Sequence, residues 1–281
     1  MDLRIRREIR AIAADARSSA TELLSRGLEI LRAAAEAGRD PLAEAATELV
    51  RAQPAMAGLR TAGAIALGAP DAAAAIEEFA ARVERGPAQI ARHAVNLIAL
   101  RTTSGPLHLV TCSKSRPVEE TIRLAAREYE LLVSCSESRP AKEGRELARA
   151  LAEAQIPVDL YSDAGICAVV AAADAVVVGA DAICRTAFIN KVGTSALCAL
   201  ATAAGTPAYV LVGREKILPD DVFGSLALRP GRPHEVARDV GAGVQVRNPY
   251  FEVIPLSLVS AVVTDVGVLQ ATEIGQSAMW R

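Results

Sequence analysis

Apolar residues in the first hundred positions recur at helical spacing. Leu23, Leu24, Leu28 and Leu31 fall on one helix face. So do Ile76, Phe79, Ala80 and Val83, and later Ile90, Ala94, Leu97 and Ile98. Pro41, Pro54, Pro70 and Pro87, with Gly38, Gly68 and Gly86 nearby, punctuate these segments. Residues 1–103 therefore read as a helical domain without a convincing strand. The pattern changes at Thr103-Ser104-Gly105-Pro106. Short apolar runs then alternate with helical stretches. Strands are predicted over Leu107–Thr111, Glu130–Ser134, Val158–Tyr161, Ala175–Val178, Ala208–Val212 and Val259–Thr264. Helices are predicted over Val118–Glu128, Ala141–Ala154, Gly165–Ala172 and Thr194–Ala204. This alternation predicts a doubly wound α/β domain over 104–281, with a largely parallel sheet.

One junction concentrates chemistry. The β-branched run Val176-Val177-Val178 ends in Gly179-Ala180-Asp181, and Asn190-Lys191-Val192-Gly193-Thr194 follows just before a helical pattern. Ligands of open parallel sheets sit outside the carboxyl ends of the strands. Asp181 is therefore a candidate acid/base. Lys191 and the next helix N-terminus are a candidate cradle for an anion.

Composition narrows the classes. A chain of 281 residues suits one or two domains. A net charge of −2 gives no electrostatic case for direct nucleic-acid binding. Met1–Glu8 carries no apolar signal core, and no run reaches the length of a membrane span. The five cysteines show neither CxxC spacing nor a nearby His pair, which argues against a metal site and for reduced thiols in a cytoplasm. His93, His108 and His234 are scattered and read as incidental.

Several strings, in order and spacing, resemble one superfamily. They are Thr111-Cys112-Ser113-Lys114-Ser115-Arg116, Glu137-Ser138-Arg139-Pro140, Gly179-Ala180-Asp181, Asn190-Lys191-Val192-Gly193-Thr194 and Asn248-Pro249-Tyr250-Phe251-Glu252-Val253-Ile254-Pro255. That superfamily holds the alpha, beta and delta subunits of translation initiation factor 2B. It also holds isomerases of methylthioribose 1-phosphate and ribose 1,5-bisphosphate. Arg17-Ser18-Ser19-Ala20 and Gln53-Pro54-Ala55-Met56 are more loosely similar to its N-terminal phosphate-contact segments. The resemblance implies a helical N-terminal domain, a Rossmann-like C-terminal domain and a ligand pocket between them. It implies Asp181 as the acid/base and Arg17, Ser115, Arg116, Asn190, Lys191 and Lys216 as phosphate contacts. No cofactor is implied. The apolar run Phe251–Val263, which in the family lies at a dimer interface, implies a homodimer or higher homo-oligomer.

The chain departs from the isomerases in informative places. They carry Thr-His-Cys after the first strand. Without a gap, Ser113 takes the catalytic Cys position and Cys112 that of the His; a one-residue bulge would instead bring Cys112 into the site. Serine is a far poorer acid than a thiol near neutrality. Gln53 stands where the isomerases have a phosphate-binding Arg, and the loop Cys184–Phe188 looks one residue shorter. Arg139 is expected to pair with a carboxylate and hold loops in place rather than touch ligand, and Asp163 to cap the following helix rather than reach the pocket or an interface. Two readings follow. One is an aldose–ketose isomerase acting on a phosphorylated pentose, or binding a nucleotide. The other is a non-catalytic, initiation-factor-like regulatory or metabolite-binding protein.

Overall fold

A computed structural model describes residues 1–15, 20–100 and 105–270. The chain forms two compact units: Met1–Arg85 with Glu215–Ala227, and Gly86–Arg214 with Leu228–Arg281.

The first unit is helical. Helices α1 (Leu3–Ala14), α2 (Ala20–Glu36), α3 (Arg39–Ala52) and α4 (Ala57–Gly68) precede the long α5 (Ala72–Ala99). Ile5, Ile9 and Ile12 form the buried stripe of α1, and Leu24, Leu28 and Leu31 that of α2. They meet Leu42, Leu49, Leu59, Ile76 and Phe79 in one core. Gln53 closes this packing, because its side-chain amide donates to the Ile12 carbonyl at 2.8 Å, near the end of α1. The residue at the Arg position of the isomerases thus caps a helix end. Pro87, expected to punctuate the helices, instead lies inside the continuous α5. Beyond it, Ile90, Ala94, Val95 and Ile98 pack in the α/β core.

The second unit is built on β1 (Leu107–Thr111), α6 (Arg116–Glu128), β2 (Leu131–Ser136), α7 (Glu143–Glu153), β3 (Val158–Tyr161), β4 (Ala175–Gly179), β5 (Ala182–Ile183), β6 (Ala187–Lys191), α8 (Thr194–Ala204) and β7 (Ala208–Leu211). After the short α9 (Asp220–Gly224) and α10 (Pro233–Val236) come β8 (Phe251–Pro255), β9 (Ala261–Thr264) and β10 (Gly267–Gln270). Gly165–Ala172, expected as an α-helix, forms a 3-10 helix.

The main sheet runs β10-β9-β7-β4-β1-β2-β3, parallel throughout except for β10. The chain winds outward from β1 in one direction and from β4 in the other, the doubly wound arrangement predicted. The winding reverses between β1 and β4, the position at whose carboxyl ends ligands of open parallel sheets bind. Val176, Val177 and Val178 are fully buried, as a central strand covered on both faces requires.

A second, antiparallel sheet, β5-β6-β8, was not visible in the periodicity. It explains the apolar run Phe251–Val263. That run supplies strands to two sheets, so Ile254, Leu256, Val262 and Val263 are consumed inside the subunit, while Val253 stays exposed.

The approach of α7 to β2 demands a glycine. A Cβ on Gly144 would stand 1.8 Å from the Ser136 carbonyl oxygen. No rotamer relieves a clash with backbone. Gly144→Ala should therefore destabilise the protein by about 3 kcal/mol, the upper end for overpacking, measured by urea denaturation. A change below about 0.5 kcal/mol, the ordinary surface range, would contradict this packing.

Candidate functional site

Three loops converge where β1, β2 and β4 end. The β1 loop begins with Cys112, which is buried, and its thiol lies 3.4 Å from the Thr194 hydroxyl. That hydroxyl donates to the Lys191 carbonyl at 2.6 Å and accepts from the Asn190 side-chain amide at 2.9 Å. Its single proton is thereby used, which makes the thiol the donor to Thr194. The thiol is correspondingly protonated. Burial, the largest influence, pushes it up to about 11, with the negative charges of Asp163 and Glu252 acting in the same direction and the Thr194 hydrogen bond and the Lys191 charge opposing them.

Ser113 is half-buried and takes a left-handed backbone, φ +62°. Its N–H donates to the Ser138 hydroxyl at 2.7 Å. Ser115 stands at the N-cap of α6 without bonding the helix through its side chain. Its hydroxyl instead lies against β4. A Cβ on Gly179 would come within 2.5 Å of it, so only glycine lets the two loops approach this closely. Arg116 opens α6, and Pro117 occupies its first turn.

Asp181 follows β4, and its N–H donates to the Ile189 carbonyl at 2.8 Å. This closes the base of the β5–β6 hairpin, and Asn190 and Lys191 continue β6 just beyond it. Lys191 is almost fully buried. Its ammonium bonds Glu143 Oε1 at 2.8 Å and stands 4.2 Å from the centre of the Tyr250 ring. The N-terminus of α8 also meets an internal anion. Glu252 Oε1 accepts from the N–H groups of Gly193 at 2.9 Å and Ser195 at 2.8 Å. The anion cradle expected from Lys191 and this helix end is thus filled by two of the chain's own carboxylates. At α6 the end is not capped by its Ser.

The structure therefore brings Cys112, Asn190 and Lys191 together around Thr194, and Ser115 against the β4 end that leads to Asp181. Arg17 lies outside the described residues. Lys216 ends a 3-10 turn, Arg214–Lys216, and belongs to the helical unit. Arg139 does hold loops, its guanidinium donating to the Glu235 and Val236 carbonyls at 3.3 and 3.2 Å. Asp163 does not cap the next helix. Ser162 bonds the Gly165 N–H, while Asp163 reaches across to the β2 loop and accepts from the N–H groups of Ser138 and Arg139, both at 2.7 Å. Among the described residues no group of His, Cys, Asp and Glu is disposed to hold a metal, and no helix is long and apolar enough to cross a membrane.

The thiols set a pH limit on stability. Burial raises Cys112 to about 11, and Cys135 and Cys198 to about 12. In the unfolded chain thiols titrate near 8.5. Above that pH the unfolded state binds fewer protons than the native one, so stability is fully present below about 8.5 and falls as pH rises toward 12. Urea midpoints measured from pH 8 to 10.5 should decline steadily. At pH 8, iodoacetamide should modify half-buried Cys167 before the other four cysteines, which are buried.

Fold and edge together define a doubly wound α/β protein with its polar loops gathered at the topological switch point. The chain belongs to the initiation factor 2 subunit family, whose model matches residues 4–271. It is 35% identical over 133 residues to a ribose 1,5-bisphosphate isomerase of Archaeoglobus fulgidus, covering 45% of this chain and 42% of that protein. It is 34% identical over 191 residues to a methylthioribose-1-phosphate isomerase of Ostreococcus lucimarinus, covering 65% of this chain and 46% of the relative. The chain thus spans under half the length of these curated relatives. The translation initiation factor eIF-2B structure from Pyrococcus horikoshii OT3 superposes with a TM-score of 0.80 at 26% identity, covering 96% of this chain and 98% of that one.

Proposed function

We propose that this protein binds a phosphorylated pentose at the carboxyl ends of β1 and β4 and interconverts its aldose and ketose forms. The observation that carries this reading is the buried, protonated Cys112 thiol beside Thr194, Asn190 and Lys191, at the sheet edge that also carries Asp181. Aldose–ketose isomerisation moves a hydrogen between neighbouring carbons. In a proton route one group takes a proton and another supplies one to the adjacent position; in a hydride route the same groups manage the protons of the two oxygens. Asp181 is the acid/base of this reading, and Cys112 the proton-holding partner. Ser113 is the weaker partner, because a hydroxyl holds its proton too tightly to exchange it near neutrality. The left-handed turn at Ser113 supports the bulged register, with the thiol rather than the hydroxyl directed to Thr194.

In this reading the phosphate sits at the first turn of α6, beside Ser115 and Arg116, where helix N–H groups and an Arg side chain would share it. Asn190 and Lys191 are then neighbours of the sugar. The similarity to named sugar-phosphate isomerases favours this over a purely regulatory role. Thermal-shift titration with ribose 1,5-bisphosphate, methylthioribose 1-phosphate and inorganic phosphate tests it. A true ligand raises the apparent stability of the native state. Arg116→Gln should weaken that ligand tenfold or more, the equivalent of about 1.5–3 kcal/mol for a charge-assisted bond. Equal stabilisation of wild type and variant would place the anion elsewhere.

A further inference from the structure

We propose that Asp163, acting through Ser138, is a positioning residue that sets the backbone of the Cys112–Ser113 segment and so holds the thiol at the end of β1. The assignment of a role to that thiol rests on the function proposed above; the positioning itself rests on geometry.

Neighbouring strands β3, β2 and β1 end in sequence along the same sheet edge. Asp163 follows β3, Ser138 follows β2 and Ser113 follows β1. A chain of hydrogen bonds links them in that order. Asp163 Oδ1 accepts from the Ser138 N–H at 2.7 Å, and Oδ2 from the Arg139 N–H at 2.7 Å. The Ser138 hydroxyl then accepts from the Ser113 N–H at 2.7 Å. It donates in turn to the Ser136 carbonyl at 3.3 Å. Ser138 is 1% exposed, so its hydroxyl depends on these protein partners rather than on water.

Two features make this more than loop trim. Ser113 and Ser138 both have left-handed backbones, with φ of +62° and +60°. Such conformations cost a non-glycine residue free energy and persist only where the surroundings over-determine them. Here the determining contacts are the bonds just described. A carboxylate accepting with both oxygens gives strong, charge-assisted bonds of fixed direction. Asp163 also lies close enough to Cys112 for its charge to be felt at the thiol. One residue on the third strand thus governs the backbone two strands away.

The full-length wild type, Ser138→Gly and Asp163→Asn separate positioning from general stability. Glycine accepts the positive φ at position 138 without strain, so Ser138→Gly removes the hydroxymethyl group without adding backbone strain. Asn at 163 keeps one acceptor and loses the other. Amide hydrogen exchange at Ser113 and the iodoacetamide rates of Cys112 and Cys135 are measured beside the global urea stability. In both variants Ser113 protection should fall about fivefold or more beyond any global change, the equivalent of one hydrogen bond. Cys112 should alkylate faster by a similar factor while Cys135 follows global stability. Kinetics on ribose 1,5-bisphosphate should show a lower kcat with KM nearly unchanged. Ser113 protection and Cys112 reactivity that move only as far as global stability does would overturn the proposal. A wild type without turnover would sink the isomerase reading, yet leave the exchange and alkylation data to decide the positioning. Should Asp163→Asn fail to fold, Ser138→Gly decides it alone.

Discussion

Asp181→Asn should lower kcat of the proposed pentose phosphate isomerisation by about 10²–10⁴-fold, the usual contribution of a positioned acid/base. The amide retains the shape of the carboxylate but cannot exchange the proton. Ligand-induced thermal stabilisation should survive, since the backbone bond from Asp181 to Ile189 is untouched. Cys112→Ser should be comparably damaging, because a hydroxyl replaces the thiol that faces Thr194. Ser113→Cys should gain little. The opposite pattern, a silent Cys112→Ser with a gain at Ser113→Cys, would hand the second role to position 113. If neither wild type nor any of these variants converts a pentose phosphate, the protein is a binding or regulatory member of its family.

Lys191→Ala should cost about 3 kcal/mol of folding stability, as read from urea or thermal unfolding. Removing one partner of a buried ion pair strands the other, at about 3–5 kcal/mol. The lower end applies because Glu143 retains 30% side-chain exposure. Glu143 has little in reserve: its Oε2 is shielded from water and has no hydrogen-bond partner. The ammonium's contact with the Tyr250 ring is lost as well. The double variant Lys191→Met with Glu143→Leu should recover much of the loss, since two apolar groups need no pairing. A single variant as stable as wild type would show that the pair carries no net weight. The same reasoning makes Lys191→Ala a poor probe of ligand contact, and it is why Arg116 is the better choice for that purpose.

Much of the fold was legible because its signals are local. Val176–Val178 is uniformly apolar since a central parallel strand is buried on both faces, and the helix predicted from Val118 is α6, which starts two residues earlier at Arg116. The β5-β6-β8 sheet was not legible. Strand β5 has two residues, β6 ends in Asn190 and Lys191, and β8 pairs with β6 from some sixty positions away. Pro87 misled for a related reason, because tertiary packing on both sides of it sustains one helix. The site divides the same way. Residue types and strand ends marked Asp181 and Lys191 as candidate chemistry, and only the resemblance brought in Cys112 or Ser113. Nothing near Lys191 in the chain announces Glu143, 48 residues earlier, or Tyr250. Glu252 was in view within its string, but its role as the cap of α8 depends on a pairing that only the folded chain makes.

The hairpin that joins Asp181 to Lys191 also bears on how such a site tolerates change in length. Ala182 pairs with Ile189 and Ile183 with Phe188, and the Asp181 bond to Ile189 locks the base of the hairpin. The turn between them, Cys184–Thr186, projects away from those pairs, with Arg185 and Thr186 exposed. A residue gained or lost there alters the tip and leaves the rungs below it aligned, much as a ladder can be trimmed at the top without moving its feet. A length change at this turn is therefore expected to spare the rungs, its cost falling on the bond from the Leu256 N–H to the Thr186 carbonyl at 2.9 Å.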